Sequence, residues 1–337
     1  MKGKMKLNQN SFLLLVTILL FFIMYGIGCV LFNAQGFSKT QNFLNLFISN
    51  AGLIVIGIGM TVVMITGGID ISVGSFVAMG CMMLAWMMEK GGIGAVPAVI
   101  IVLVTGIVFG LVQGFLVAYM DIQPFIVTLA GMFFARGMTT IVHTDPFNVQ
   151  NKAFVALKDT RVIVPGMGSV NRIGRYVDAY VEIGVIVALL IVVLMFVMLR
   201  WSKLGRAFYA VGGNKQSALM LGINVKRTRF LAQLFSGVLA GIAGYVYFLH
   251  VGSGSASHAT GMEMNAIASS IIGGTLLTGG VGNIIGTFFG VLSLSTIQNI
   301  VSSAGLDQAW WTGITIAAML CLFLVIQSIV MARKNRG

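Results

Sequence analysis

The chain has 337 residues, of which 58% are hydrophobic and 9% charged, with a formal net charge of +12. An ordinary soluble domain is roughly 25% charged, so this chain cannot keep its surface in water. Retention of positive flanks in the cytoplasm and attraction to anionic lipid headgroups account for the charge, with no nucleic-acid partner.

Hydrocarbon about 30 Å thick demands helices of roughly 20 apolar residues. Such stretches, broken by Gly, Pro, Asn or charge, predict about ten helical spans: 12–31, 46–66, 72–88, 95–119, 125–142, 179–199, 230–250, 262–277, 284–302 and 309–331. The expected fold is an all-α polytopic integral membrane protein, residues 1–337 forming a single transmembrane domain with broken helices.

The first span follows Lys2, Lys4 and Lys6 and ends near Gly26, Gly28 and Cys29. Its apolar run is longer than a secretory signal and further spans follow, so it reads as an uncleaved anchor. A lipoprotein-type cleavage before Cys29 wants a Leu-like residue where Gly26 stands.

Between the second and third spans, TGGIDISVG interrupts helical character with Gly67 and Gly68 and places Asp70 and Ser72 at the start of the next helix. Backbone freed at membrane depth is tolerated only beside protein or a water-filled cavity, so the break borders a pathway on one reading. On the other, Asp70 or Ser72 caps the third helix. The two are compatible.

Small residues four apart recur at Gly106, Gly110 and Gly114, at Gly237 and Gly241, and at Gly282, Gly286 and Gly290. They permit close helix contact within the subunit or at a dimer face. The fifth span follows Pro124 and contains Phe125 and Arg136. An Arg at mid-bilayer costs roughly 3 kcal/mol or more without a partner or water, so Arg136 faces the interior, paired there or lining a polar route.

Residues 143–178 form the larger outer segment, a cap or docking surface too short for a core of its own. Residues 201–229 form a basic loop carrying Lys203, Arg206, Lys215, Lys226, Arg227 and Arg229. Near the eighth span, Thr260 and Glu263 have capping-box spacing, and Asn265, Ser269 and Ser270 supply small polar groups suited to lining an aqueous route. A slight echo links GGIDISVG at 67–74 with GGTLLTGGVG at 273–282, as two oppositely oriented five-span halves of an inverted repeat could produce.

Cys29, Cys81 and Cys321 lack metal-ligand spacing and read as packing residues; His143, His250 and His258 read as solvated boundary residues. No metal site is expected. Lys2, Lys4 and Lys6, the basic loop, and Arg333, Lys334 and Arg336 together place both termini in the cytoplasm.

The chain has no GxxxxGK[ST] phosphate loop, and Asp70 is nearly alone as an intramembrane carboxylate. A separate ATPase is therefore the expected energy source, ahead of an ion gradient. No paired carboxylates or nucleophile with its base suggests an enzyme.

The basic loop, through Gly205, Arg206, Ala210, Gly212, Gly213, Asn214, Ala218, Gly222 and Ile223, resembles the coupling segment of bacterial ribose-type monosaccharide ABC permeases. GGIDISVG, PFIVTLAGMFFARG at 124–137 and NAIASSIIGGTLLTGGVG at 265–282 are similar to the same family over nearly the whole chain. Trp310, Trp311 and Thr312 with the TLAGMFF string look most like its galactofuranose branch. Lys215, Gln216, Leu219 and Met220 depart from the family pattern at positions that could alter which ATPase docks.

The resemblance implies an importer in the bacterial inner membrane with ATP and Mg on partner ATPase subunits and no cofactor on this chain. It also implies an extracytoplasmic sugar-binding protein and a second permease subunit, a heterodimer being favoured and a homodimer the other option. The expected substrate pathway comprises Asp70, Ser72, Phe125, Arg136, Glu263, Asn265 and Ser269. A permease for nucleosides or branched-chain amino acids, and an ion-coupled carrier, are the alternatives.

Overall fold

A computed structural model describes residues 9–170, 176–306 and 308–334. Lys2, Lys4, Lys6 and Arg336, which carry part of the orientation reading, lie outside the described residues. In hydrocarbon each backbone polar group must be satisfied within the chain, and a helix falls in each of the ten predicted segments, though not every one is long enough to span. They are α1 (Gln9–Leu31), α2 (Thr40–Ile65), α3 (Val73–Glu89), α4 (Ala95–Ala118), α5 (Pro124–Val142), α7 (Ile183–Trp201), α10 (Val225–Val251), α11 (Met262–Ile272), α12 (Ile284–Ser303) and α13 (Ala309–Lys334). Among the described residues, seven helices are long and apolar enough to cross a membrane: α1, α2, α4, α5, α7, α10 and α12.

Three short helices lie between them: α6 (Lys152–Lys158), α8 (Lys203–Gly213) and α9 (Lys215–Met220). The strands, which the sequence reading did not anticipate, gather at the opposite end of the bundle from α8 and α9. There β1 (Phe147–Asn148) pairs antiparallel with β4 (Ser253–Gly254), and β2 (Arg161–Val170) with β3 (Tyr176–Glu182). The predicted sixth span begins four residues too early, because 179–182 belong to β3. The Gln41 side chain ties this hairpin to α2, accepting from Tyr180 N–H at 2.9 Å and donating to Tyr180 C=O at 3.3 Å.

α2 is the central helix, buried almost continuously from Leu46 to Ile65. It runs from the strand end to the α8 end, whereas α10 runs the other way and packs against both α2 and α4. Two glycine seams set these spacings. A methyl on Gly106 would stand 2.7 Å from the Gly237 carbonyl oxygen, and one on Gly237 would stand 2.6 Å from that of Gly106. Added carbons on Gly286 and Gly290 would overlap the carbonyl oxygens of Gly273 and Ser269. The small-residue stripes thus serve packing within the subunit.

α1 joins the bundle through Thr17 Oγ1, which donates to the Ile272 carbonyl at 2.8 Å, and through Phe21 against Phe289. A buried hydroxyl group links α2, α11 and α12: Thr61 Oγ1 lies 3.1 Å from Ser270 Oγ and 2.5 Å from Thr287 Oγ1. Cys81 is buried and also donates to the Ser253 carbonyl at 3.2 Å.

Candidate functional site

Two helix pairs are built alike but point oppositely. α2 descends to the α8 end, breaks at 66–72 and returns toward the strand end as α3. α10 rises to the strand end, breaks at 252–261 and returns toward the α8 end as α11. The starts of α3 and α11 meet inside the bundle: a methyl on Gly74 would overlap Glu263 Oε2 and lie 2.9 Å from Glu263 N. The two breaks are therefore counterparts in an inverted arrangement. The glycine-rich stretches whose letters echo each other are not. Their glycines touch instead, with an added carbon on Gly279 standing 3.0 Å from Gly67 Cα.

The first break is sealed. Asp70 is 1% exposed, and its Oδ1 accepts from Ser72 N–H at 3.0 Å and from Ser72 Oγ–H at 2.5 Å. Its Oδ2 accepts from Ser236 Oγ–H of α10 at 2.7 Å. Gln113 of α4 donates to Ser72 Oγ at 2.9 Å, and Thr128 of α5 donates to the Ile69 carbonyl at 3.2 Å. Asp70 thus satisfies one donor at the start of α3, while the Ser72 side chain makes no cap bond to that helix.

The second break is longer and looser. Arg136 of α5 donates through Nη1 to the carbonyls of Ala256 at 3.0 Å and His258 at 2.8 Å, which resolves how an intramembrane Arg finds partners. Its partners are backbone carbonyls and not a carboxylate. Ala259 holds φ at +53°, a left-handed conformation that costs a non-glycine residue energy and persists only where the surroundings fix it. The His258 ring sits 3.1 Å from Ser253 Oγ and edge-on to Tyr247, so it is a structural part of this loop and not a solvated boundary residue.

The capping box does not form. Gly261 is the N-cap of α11, Thr260 Oγ1 turns back to the Ser257 carbonyl at 2.8 Å, and Glu263 Oε2 is buried without a hydrogen-bond partner. α11 itself ends at Ile272, five residues short of the predicted span, because Gly273 and Gly274 turn the chain. Ser269 is buried and donates to the Asn265 carbonyl at 2.7 Å; Asn265 is half-buried.

The basic loop folds as two helices. Asn214 separates α8 from α9 and caps the latter, its side chain accepting from Ser217 N–H. Gly222, at φ +76°, ends α9 with the paired bonds Gly222 N–H to Leu219 C=O and Ile223 N–H to Ala218 C=O, both at 3.0 Å or less. Gly205 is buried where an added carbon would overlap the Leu199 carbonyl, Ala218 is buried, and Arg206 is exposed. Gly212 is pressed onto the end of α2: a side chain there would overlap the Ile65 carbonyl oxygen, which also accepts from Gly280 N–H at 2.9 Å. α8, the end of α2 and the turn 273–283 thus meet at one joint. Gly213 points into open space.

Residues 42–324 match the family described as branched-chain amino acid transport system / permease component. The chain belongs to that permease family. The permease is 36% identical to the fructose import permease protein FruG of Bifidobacterium longum over 98% of this chain and 95% of that protein. It is 37% identical to the inner membrane ABC transporter permease protein YjfF of Escherichia coli over 87% and 85%. With the ribose import permease protein RbsC of Bacillus subtilis it shares 33% over 81% and 80%. No solved structure matches it significantly. It is a multi-pass membrane protein of the ribose-type monosaccharide ABC permease group, a non-catalytic membrane component.

Within the permease, the predicted pathway residues fall into separate groups. Asp70 and Ser72 sit together in the sealed break; Arg136 and Glu263 flank the looser one; Asn265 and Ser269 continue along α11; and Phe125, 49% exposed, lies on the outer face of α5. Gln113 and Ser236 escaped the sequence reading although each is a polar residue inside an apolar helix, which is itself a signal. Among the described residues no group of three or more His, Cys, Asp or Glu could hold a metal ion.

Proposed function

We propose that this permease carries a monosaccharide across the bacterial inner membrane in an ATP-driven importer, with a galactofuranose-like or related sugar as substrate. ATP and Mg reside on separate ATPase subunits, an extracytoplasmic binding protein delivers the sugar, and a second permease subunit completes the pore, a heterodimer being favoured. Both termini and the loop 201–229 face the cytoplasm, and 143–178 faces outward. Relatives named for fructose import, ribose import and D-allose transport support the sugar assignment.

The observation that carries the reading is the joint at Gly212. Within a surface helix pair built from caps and glycines, α8 presses directly on the end of α2 and on the turn 273–283, so motion imposed on α8 and α9 reaches both. Exposed Leu219 and Met220 give α9 an apolar contact for an ATPase groove. The proposed route runs past Asp70, Ser72, Arg136, Glu263, Asn265 and Ser269, with Asp70 as a fixed anchor and the second break as the element re-aimed, while Phe125 stands apart on the outer face of α5.

A mild-detergent pull-down of the C-terminally tagged chain from its native membrane tests the assembly. A P-loop ATPase together with a second permease-like chain is the expected outcome, and a lone homo-oligomer from transport-active membranes contradicts it. A ligand panel on the associated binding protein then separates sugars from nucleosides and branched-chain amino acids.

A further inference from the structure

One side chain of α8 has no part in the joint described above. Tyr209 stands three residues before Gly212, on the same face of the helix, and its hydroxyl donates to the Gly282 carbonyl at 2.9 Å. The Tyr209 ring packs against the main core. Burial pushes its phenol above the ordinary tyrosine range, against the opposing pull of Arg200, so the hydroxyl remains a donor at physiological pH.

Gly282 occupies a sensitive point. The next residue, Asn283, caps α12 by accepting from Ile285 N–H at 2.9 Å. Gly282 is also confined, since an added carbon there would stand 2.7 Å from Ile65 Cγ1 and 3.0 Å from Thr275 Cγ2. Displacement of its carbonyl therefore carries the start of α12 with it, and displacement toward Ile65 also presses on the end of α2. From there α12 reaches α11 and α2 through the Thr287, Ser270 and Thr61 hydroxyls.

The two contacts of α8 transmit different forces. At Gly212 the contact is steric, so it can push the turn but cannot pull it. A hydrogen bond holds in both directions. A cycle of opening and closing needs a return stroke, and Tyr209 is the α8 side chain that grips the turn.

We propose that Tyr209 is a positioning residue that tethers the start of α12 to α8, so that the turn 273–283 follows α8 in both directions and sugar movement stays tied to ATP hydrolysis. This rests on the coupling role assigned to α8 and α9 under the proposed function.

The test uses the complete transporter in proteoliposomes, with ATP hydrolysis and radiolabelled sugar uptake recorded together for the wild type and Tyr209→Phe. Hydrogen–deuterium exchange over residues 280–287 is followed with and without vanadate-trapped nucleotide. Tyr209→Phe keeps the ring and removes the donor. It is expected to lower sugars moved per ATP by roughly fivefold, the scale of one hydrogen bond. The nucleotide-dependent change in exchange at 280–287 is expected to shrink in the variant while that of α8 persists, which a merely structural role would not produce.

A wild type that couples beside a Tyr209→Phe variant with the same ratio overturns the tether alone. Nucleotide-dependent exchange in wild-type α8 with none at 280–287 does so without any variant. A wild type whose uptake ignores ATP overturns the coupling role and the tether together.

Discussion

The two breaks share an architecture and differ in how they are held. At 66–72 a buried carboxylate accepts three hydrogen bonds, and α4, α5 and α10 each contribute a bond. At 252–261 the backbone is strained at Ala259, one arginine supplies two bonds from α5, and the adjacent carboxylate of Glu263 has a buried oxygen without a partner. A satisfied polar network in a low-dielectric setting is rigid, whereas a partly satisfied one is poised to rearrange. In the proposed cycle the first break is thus suited to act as a pivot and the second as the part that moves.

The largest predicted effect is at the joint beneath the pivot. Gly212→Val should abolish uptake while leaving membrane insertion intact, since its side chain overlaps the Ile65 carbonyl; Gly213→Val, pointing into open space, should retain most uptake. Radiolabelled sugar uptake at matched expression checks both. Equal loss from the two variants would erase the distinction between a steric joint and an exposed helix end.

Asp70→Ala comes next. It strips the acceptor from Ser72 N–H, Ser72 Oγ and Ser236 Oγ, and one buried donor left unsatisfied costs about 1–3 kcal/mol, so thermal unfolding in detergent should shift down clearly. Asp70→Asn keeps an acceptor for Ser72 N–H and should cost about 1 kcal/mol or less. A severe transport loss in the Asn variant at normal stability would instead give Asp70 a pathway role.

Arg136→Gln should loosen the second break selectively. Two bonds from a charged donor, each worth about 1.5–3 kcal/mol, are lost from Ala256 and His258, and a cysteine placed at the buried position 259 should label several-fold faster from outside. A cysteine at Ile69, in the sealed break, should be unaffected. Glu263→Gln should have a smaller effect, within about 1 kcal/mol, because its buried Oε2 makes no hydrogen bond for the substitution to break.

The smallest effect is at the turn between α4 and α5. Arg229 binds Asp121 at 2.9 Å and holds its carboxyl below the ordinary range by hydrogen bonding and charge, with Lys215 and Lys226 adding to the shift. A depressed folded-state pKa means that the pair contributes above the unfolded value and is lost as pH falls through the folded one. Because Asp121 is fully exposed, Asp121→Asn should scarcely change the melting temperature near neutrality, and wild type and variant should converge in acid.

Much of this was legible in the chain because long apolar runs leave a helix little alternative. The Gly106, Gly110 and Gly114 stripe correctly pointed to close packing. Gly222 marked the end of α9 because only a residue at ease with positive φ closes a helix that way. The limits of reading were equally physical. α11 looked longer than it is because Leu276 and Leu277 continue the apolar pattern beyond the turn at Gly273.

The β2–β3 hairpin went unread because Pro165 and Gly166 interrupt its first strand, and the register shifts between Val164 and Ser169 to accommodate them. The partners of Arg136 are backbone carbonyls, which have no letter in a sequence. Tyr209 and Gly282 are joined across 73 positions by a bond that only the fold reveals.

The most direct measurement is sugar uptake into proteoliposomes containing the permease with its ATPase, second permease subunit and binding protein, comparing ATP alone with imposed proton and sodium gradients. Uptake that requires ATP and ignores both gradients is predicted. Uptake driven by either gradient in the absence of ATP would contradict the account.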